Sequence, residues 1–119
     1  MSMKAAVRQV DSVTVVDVNG RITLGEGCTQ LRELIRSEVG KGNKTVLLNL
    51  ADVTYIDSSG IGELVSAYTA VSNQGGQLKL LGLTKKVYDL LQITKLYTIF
   101  DVHDDEAKAI TRFEKAAGA

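Results

Sequence analysis

The chain has 119 residues, 45% of them hydrophobic and 24% charged, the balance of one ordinary globular domain and not of a disordered one. Lysine plus arginine numbers 14 and aspartate plus glutamate 14, so no basic excess is available to neutralise a phosphate backbone, which argues against nucleic acid as the main partner. The same even count argues against binding to an anionic membrane surface.

One cysteine, Cys28, excludes an internal disulfide framework and a cysteine-rich metal site, and one histidine, His103, excludes a site built on histidines. Met1 to Val10 lacks the apolar core of a signal peptide, and the apolar runs are too short to span a membrane, so a cytoplasmic single domain is expected.

In chain order, Lys4–Val10 and Val13–Asn19 flank a two-residue polar break, Asp11-Ser12, and predict a β-hairpin, with Gly20 closing its second strand. Gly25-Glu26-Gly27 reads as a loop. Leu31, Leu34, Ile35 and Val39 then follow helical spacing, ended by Gly40 to Asn43. Thr45–Leu50 is an apolar run of the kind covered on both faces in an α/β sheet. A turn around Asp52 leads to Tyr55–Gly60. Beyond it Ile61, Leu64, Val65, Tyr68 and Val71 mark an amphipathic helix that stops at Asn73 to Gly76.

Gln77–Leu81 predicts another strand, and Thr84 can cap a short helix bearing Val87, Leu90 and Leu91. Tyr97–Val102 reads as a last strand. Asp104-Asp105-Glu106 places negative charge at the start of a final helix with Ala107, Ile110 and Phe113, as the helix dipole favours. Residues 115–119 are expected to fray. The order ββαβαβαβα predicts an α/β fold: a mixed sheet of about five strands opening with a hairpin, packed with about four helices, in one domain over 1–119.

Catalytic motifs are mostly missing. The P-loop pattern does not occur, and Gly20, Gly25 and Gly27 lack the spacing of a dinucleotide fingerprint. His103, the one available histidine base, lies in a charged run and reads as a solvated loop residue. Cys28, just before a helix, reads as a plain helix-start residue against the alternative of a lowered thiol pKa. Asp52 and Asp57 lack any further residue pointing to a substrate cleft. A phosphoaspartate receiver domain would need an acidic cluster after its first strand, where this chain has a hairpin. No enzymatic activity and no cofactor are expected.

The informative segment is Asp57-Ser58-Ser59-Gly60-Ile61-Gly62, which opens the clearest helix. Capping explains part of it, since serine and aspartate oxygens accept from free N–H groups of a first turn. Capping needs one oxygen, however, and three successive side chains can supply one. Two glycines in a first turn are poor helix formers, but bare backbone permits close approach by another molecule, and a helix start is a ready anion site.

With Asn49 to Gly62 in view, the chain resembles the STAS domains, and within them the bacterial anti-sigma factor antagonists. Gln74-Gly75-Gly76 and Leu90 to Phe100 extend the likeness along almost the whole chain. The resemblance implies that Ser58 is a regulatory phosphorylation site, modified by an anti-sigma factor that is also a serine kinase and holds the ATP. It further implies that the unphosphorylated form binds that anti-sigma factor and frees a sigma factor, and that a metal-dependent serine/threonine phosphatase resets the switch. Asp57, Ser59, Gly60, Ile61 and Gly62 are then expected at the partner-binding surface, joined by Arg21 and Thr23 from the loop after the second strand. Many antagonists carry acidic residues in that loop. Here Arg21 and Thr23 stand there instead, which changes the charge of the face, and Arg21 is either a solvated loop residue or a partner for a phosphate on Ser58. The alternative function is a STAS scaffold or transport-accessory subunit that docks through the same helix face without phosphorylation.

Overall fold

The two valine-rich segments on either side of Asp11-Ser12 pair in register, Val10 opposite Val13 and Met3 opposite Gly20, forming antiparallel strands β1 (Met3–Val10) and β2 (Val13–Ile22). Asp11 takes a left-handed φ of 54° in the two-residue connection, a conformation that aspartate tolerates better than most residues. The computed structural model describes the backbone of residues 3–118 and the side chains up to Phe113. The expected fraying at 115–119 falls on side chains outside those described.

After the hairpin come α1 (Glu26–Gly40), β3 (Thr45–Ile56), α2 (Ser58–Asn73), β4 (Gln77–Leu81) and α3 (Lys85–Ile93). A single 3₁₀ turn at Tyr97–Ile99, a two-residue β5 (Val102–His103) and α4 (Glu106–Gly118) complete the chain. The five strands lie in sequential order, with β2 to β5 parallel. Right-handed crossovers between strands that advance in one direction must all pass over the same face. Accordingly α1, α2 and α3 share one core with the sheet, in which Leu31, Ile35, Ile61, Leu64, Val71, Val87 and Leu91 meet Val16, Val18, Ile22, Val46, Leu48 and Leu80. Helix α4 follows β5 on the other side of the sheet. It covers the opposite face, setting Ala109, Ile110 and Phe113 on Val13, Val15, Leu47 and Leu81. The expected mixed five-stranded sheet with four helices is thus the observed one.

Four local expectations need correction. Gly20 does not close β2: the strand passes through it to Ile22, with register irregularities at 17–19 and at 20–21. No turn surrounds Asp52, which lies within β3 opposite Asn19. The Gly25 to Gly27 loop is shorter than expected, because α1 already begins at Glu26. Tyr97–Val102 is not a strand: Tyr97 packs edge-on against Tyr88 at 5.1 Å and Phe100 against Tyr68 at 5.7 Å. Two inward aromatics three residues apart suit a 3₁₀ turn, in which positions i and i+3 eclipse. Thr84 does cap α3, its hydroxyl accepting from the Val87 N–H at 3.4 Å.

Candidate functional site

Parallel strands β2 and β3 end side by side, Ile22 opposite Ile56. Each then turns into a helix, α1 or α2, so two helix N-termini meet at the carboxyl edge of the sheet, the edge at which ligands of open α/β sheets bind. The residue that organises this edge is Asp57. Its backbone N–H donates to the Ile22 carbonyl at 3.4 Å, and its own carbonyl accepts from Ile61 N–H at 3.0 Å. Its Oδ1 accepts from the Gly60 N–H at 2.8 Å, capping α2, while Oδ2 accepts from the Leu24 N–H at 3.1 Å. Burial pushes the Asp57 carboxyl up, but the N–H groups of Gly60, Leu24, Asp57 itself and Ser59 outweigh it and hold the group below the usual aspartate range.

Because Asp57 is the cap, the helix does not need the hydroxyl of Ser58, which occupies the first helical position and is exposed. Ser59 beside it is half-buried and Gly62, one turn on, is exposed. Gly60 and Ile61 lie underneath. A Cβ on Gly60 would sit 2.2 Å from the Ile22 carbonyl oxygen and 2.5 Å from Ile56 Cγ1, so glycine is needed for the helix to seat on the strand end. Ile61 is 2% exposed and belongs to the core. Both therefore shape the expected surface from below and offer it no side chain. Gly62 is different: a Cβ there meets nothing within 4 Å.

The loop after β2 borders this helix start, as Asp57's bond to Leu24 requires. Thr23 is half-buried, and its carbonyl accepts from Cys28 N–H at 3.1 Å. Leu24 is 78% exposed, a large apolar side chain held in the open beside the α2 cap. Gly27, in the first turn of α1, is packed too, since a Cβ would lie 2.8 Å from the Arg21 carbonyl oxygen. Arg21, expected in the loop after β2, lies instead in β2 opposite Tyr55, because the strand runs on to Ile22; it is exposed and lies over the ring of Tyr55, its Cζ 5.0 Å from the centroid, with Lys86 Nζ at 5.1 Å from the same ring. Behind the loop, Arg32 of α1 forks onto Glu63 Oε1 of α2 at 3.2 and 2.8 Å, joining the two helices. Sequence patterning did not single out Leu24, Tyr55, Lys86 or this pair. Only the aromatic Tyr55, three residues before Ser58, offered a signal.

The remaining candidates do not converge here. Cys28 is buried within the first turn of α1. Burial first, then the charges of Glu63 and Asp57, push its thiol up against the opposing charge of Arg32, which is the reverse of activation. His103 is not a solvated loop residue: it is half-buried in β5, its Nε2 3.3 Å from Asp101 Oδ1. Asp52 is exposed on β3. Among the described residues no helix is long and apolar enough to cross a membrane.

The chain belongs to the STAS domain family, whose model matches residues 4–109. It is 29% identical over 102 residues to the anti-sigma-B factor antagonist of Bacillus subtilis, covering 86% of this chain and 92% of that protein. A crystal structure of the Thermotoga maritima protein TM1081 superposes with a TM-score of 0.85 at 26% identity, covering 92% of this chain and 94% of that one. The Bacillus cell fate determinant SpoIIAA in its phosphorylated form shares the fold, with a TM-score of 0.72 at 21% identity over 92% of this chain and 98% of that one.

Proposed function

We propose that this chain is an anti-sigma factor antagonist that binds an anti-sigma factor serine kinase when Ser58 is free and is released when Ser58 is phosphorylated. A serine/threonine phosphatase restores the binding form. The observation that supports this most is the division of labour at the head of α2: Asp57 performs the capping, and Ser58 is left exposed with no structural duty in the helix. The similarity to the Bacillus subtilis antagonist and to a fold known in a phosphorylated form supports the same reading.

The electrostatics explain how such a switch works without refolding. A phosphate adds about −1.5 to −2 charges. At the first turn of α2 it meets the positive end of the helix dipole, so the domain tolerates it. In an interface the same group meets a surface shaped for a hydroxyl. An uncompensated buried charge costs about 3–5 kcal/mol, which is about a 10²- to 10³-fold loss of affinity or more.

Incubation with a candidate anti-sigma factor kinase and ATP, read by intact mass and fragmentation, tests this. One phosphate on Ser58 is expected, and Ser58→Ala should bind the kinase without being modified, whereas Ser58→Asp should bind about 10²-fold more weakly or worse. Equal affinity of the two variants, in a complex that stays unmodified, would favour a fixed scaffold instead.

A further inference from the structure

The cations at the carboxyl edge of the sheet are placed against local electrostatics. Arg21 and Lys86 lie over the one ring of Tyr55, at 5.0 and 5.1 Å. Among the described residues neither makes an ion pair, and what sets the two apart from the other unpaired cations is the ring they share. Lys86 stands in the first turn of α3, beside Lys85 and with no acidic residue in that turn, where a cation opposes the helix dipole. Of the neighbouring charges, Lys85 is taken by Asp89 at 2.7 Å, and Asp52 of β3 lines a groove together with Lys85 and Lys86. That groove arises because β4 pairs only with Thr45–Asn49, which leaves the outer edge of β3 from Ala51 onward to face the start of α3.

We infer that Arg21, Tyr55 and Lys86 form a cationic platform for a carboxylate-rich segment of the protein that docks at the head of α2. This rests on the reading that a protein docks there. The ring fixes two long cationic side chains in place through cation–π attraction, lowering the entropy lost when they grip carboxylates. Tyr55 lies three residues before Ser58, and Arg21 directly precedes Ile22, whose carbonyl receives Asp57 N–H. The platform and the switch therefore share one rigid support. Two unpaired cations beside an exposed tyrosine (36%) and an exposed leucine (78%) fit an acidic, partly apolar partner surface, and they disfavour a basic one.

The test uses the full chain labelled with nitrogen-15 and an octaglutamate peptide as probe. The expected result is amide shifts centred on Arg21, Tyr55 and Thr84 to Lys86, abolished by R21E/K86E, retained by R21K/K86R, and lost in about 0.5 M salt, where exposed charges are screened. Affinity of R21E/K86E for the probe should fall at least about tenfold. Shifts centred instead on Lys4 and Arg8, or on Lys108 and Arg112, or no shifts at all, would overturn the platform. The probe needs neither a kinase nor a modified serine, so that failure leaves the Ser58 switch standing, and failed phosphorylation leaves the platform standing.

Discussion

The carboxylate of Asp57 is shared between its own helix and a loop 33 residues before it: Oδ1 holds the Gly60 N–H inside the helix, and Oδ2 holds the Leu24 N–H of the loop before α1. The cap of one helix is thereby also the anchor of the neighbouring loop. Asp57→Ala removes both bonds and should destabilise the domain by about 1–3 kcal/mol, combining loss of a cap with loss of a charge-assisted bond. Asp57→Asn has one acceptor oxygen, so it should keep one bond and lose the other, with a smaller effect. Urea unfolding gives the totals. Amide exchange at Leu24 should quicken in Asp57→Ala, and in Asp57→Asn it shows which of the two bonds the remaining oxygen keeps.

The two glycines of Gly60-Ile61-Gly62 should respond in opposite directions to the same methyl group. Gly60→Ala drives a Cβ to within 2.2 Å of the Ile22 carbonyl, backbone that cannot move aside cheaply, and should cost about 1–3 kcal/mol or more. Gly62→Ala enters open space in the second turn of the helix and should stabilise by roughly 0.4–1 kcal/mol. Thermal unfolding of the pair checks the signs. Because Gly62 is exposed on the proposed docking face, its alanine variant also separates binding from stability: a stable protein with weakened kinase binding marks direct contact there.

The alternation of strands and helices is readable because each apolar run matches one period, and the sheet order follows once crossovers keep one hand. Strand β3 shows where that logic fails. Its buried residues Leu50, Val53 and Ile56 are spaced by three, with exposed pairs Ala51-Asp52 and Thr54-Tyr55 between them. Bulges against β2 shift the register and carry successive buried side chains back to one face, so a true strand lacks the two-residue period that defines one. The same displacement hides the functional surface. Asp57 to Gly62 is legible as a motif, but the neighbourhood of Arg21 with Tyr55 depends on a register that no local pattern encodes. Lys86 joins them from a helix 31 positions further along the sequence, by tertiary packing alone.

Helix α4 is held by charge as well as by its apolar face. The guanidinium of Arg8 on β1 bonds Asp17 on β2 and Glu106 at the start of α4. Hydrogen bonding to Arg8 holds both carboxyls below their ordinary ranges, against the opposing effect of burial. The sign follows directly. A carboxyl depressed on folding contributes stability above its unfolded pKa and loses it as pH falls through the folded value. The wild type should therefore lose stability on acidification below the ordinary carboxylate range. Arg8→Ala should flatten that dependence and cost about 0.5–1 kcal/mol near neutral pH, a small figure because the cluster is partly solvated. Chemical denaturation repeated between about pH 3 and 7 measures both slopes.

Cys28 gives an independent probe of the site's integrity. It is 6% exposed, its backbone N–H is tied to Thr23, and burial with the charges of Glu63 and Asp57 raises its thiol pKa. The thiolate is the reacting species, so both access and ionisation suppress its chemistry. A disulfide reagent such as DTNB should modify the native chain far more slowly than the unfolded one, at a rate set by local opening of the β2–α1 loop. Asp57→Ala should accelerate the reaction twice over, by releasing the loop at Leu24 and by removing a negative charge that opposes the thiolate. Asp57→Asn also removes that charge while disturbing the loop less, so its rate should fall between the two. If both variants react as slowly as wild type, the loop is held by its own packing and the Leu24 bond contributes nothing to closing it.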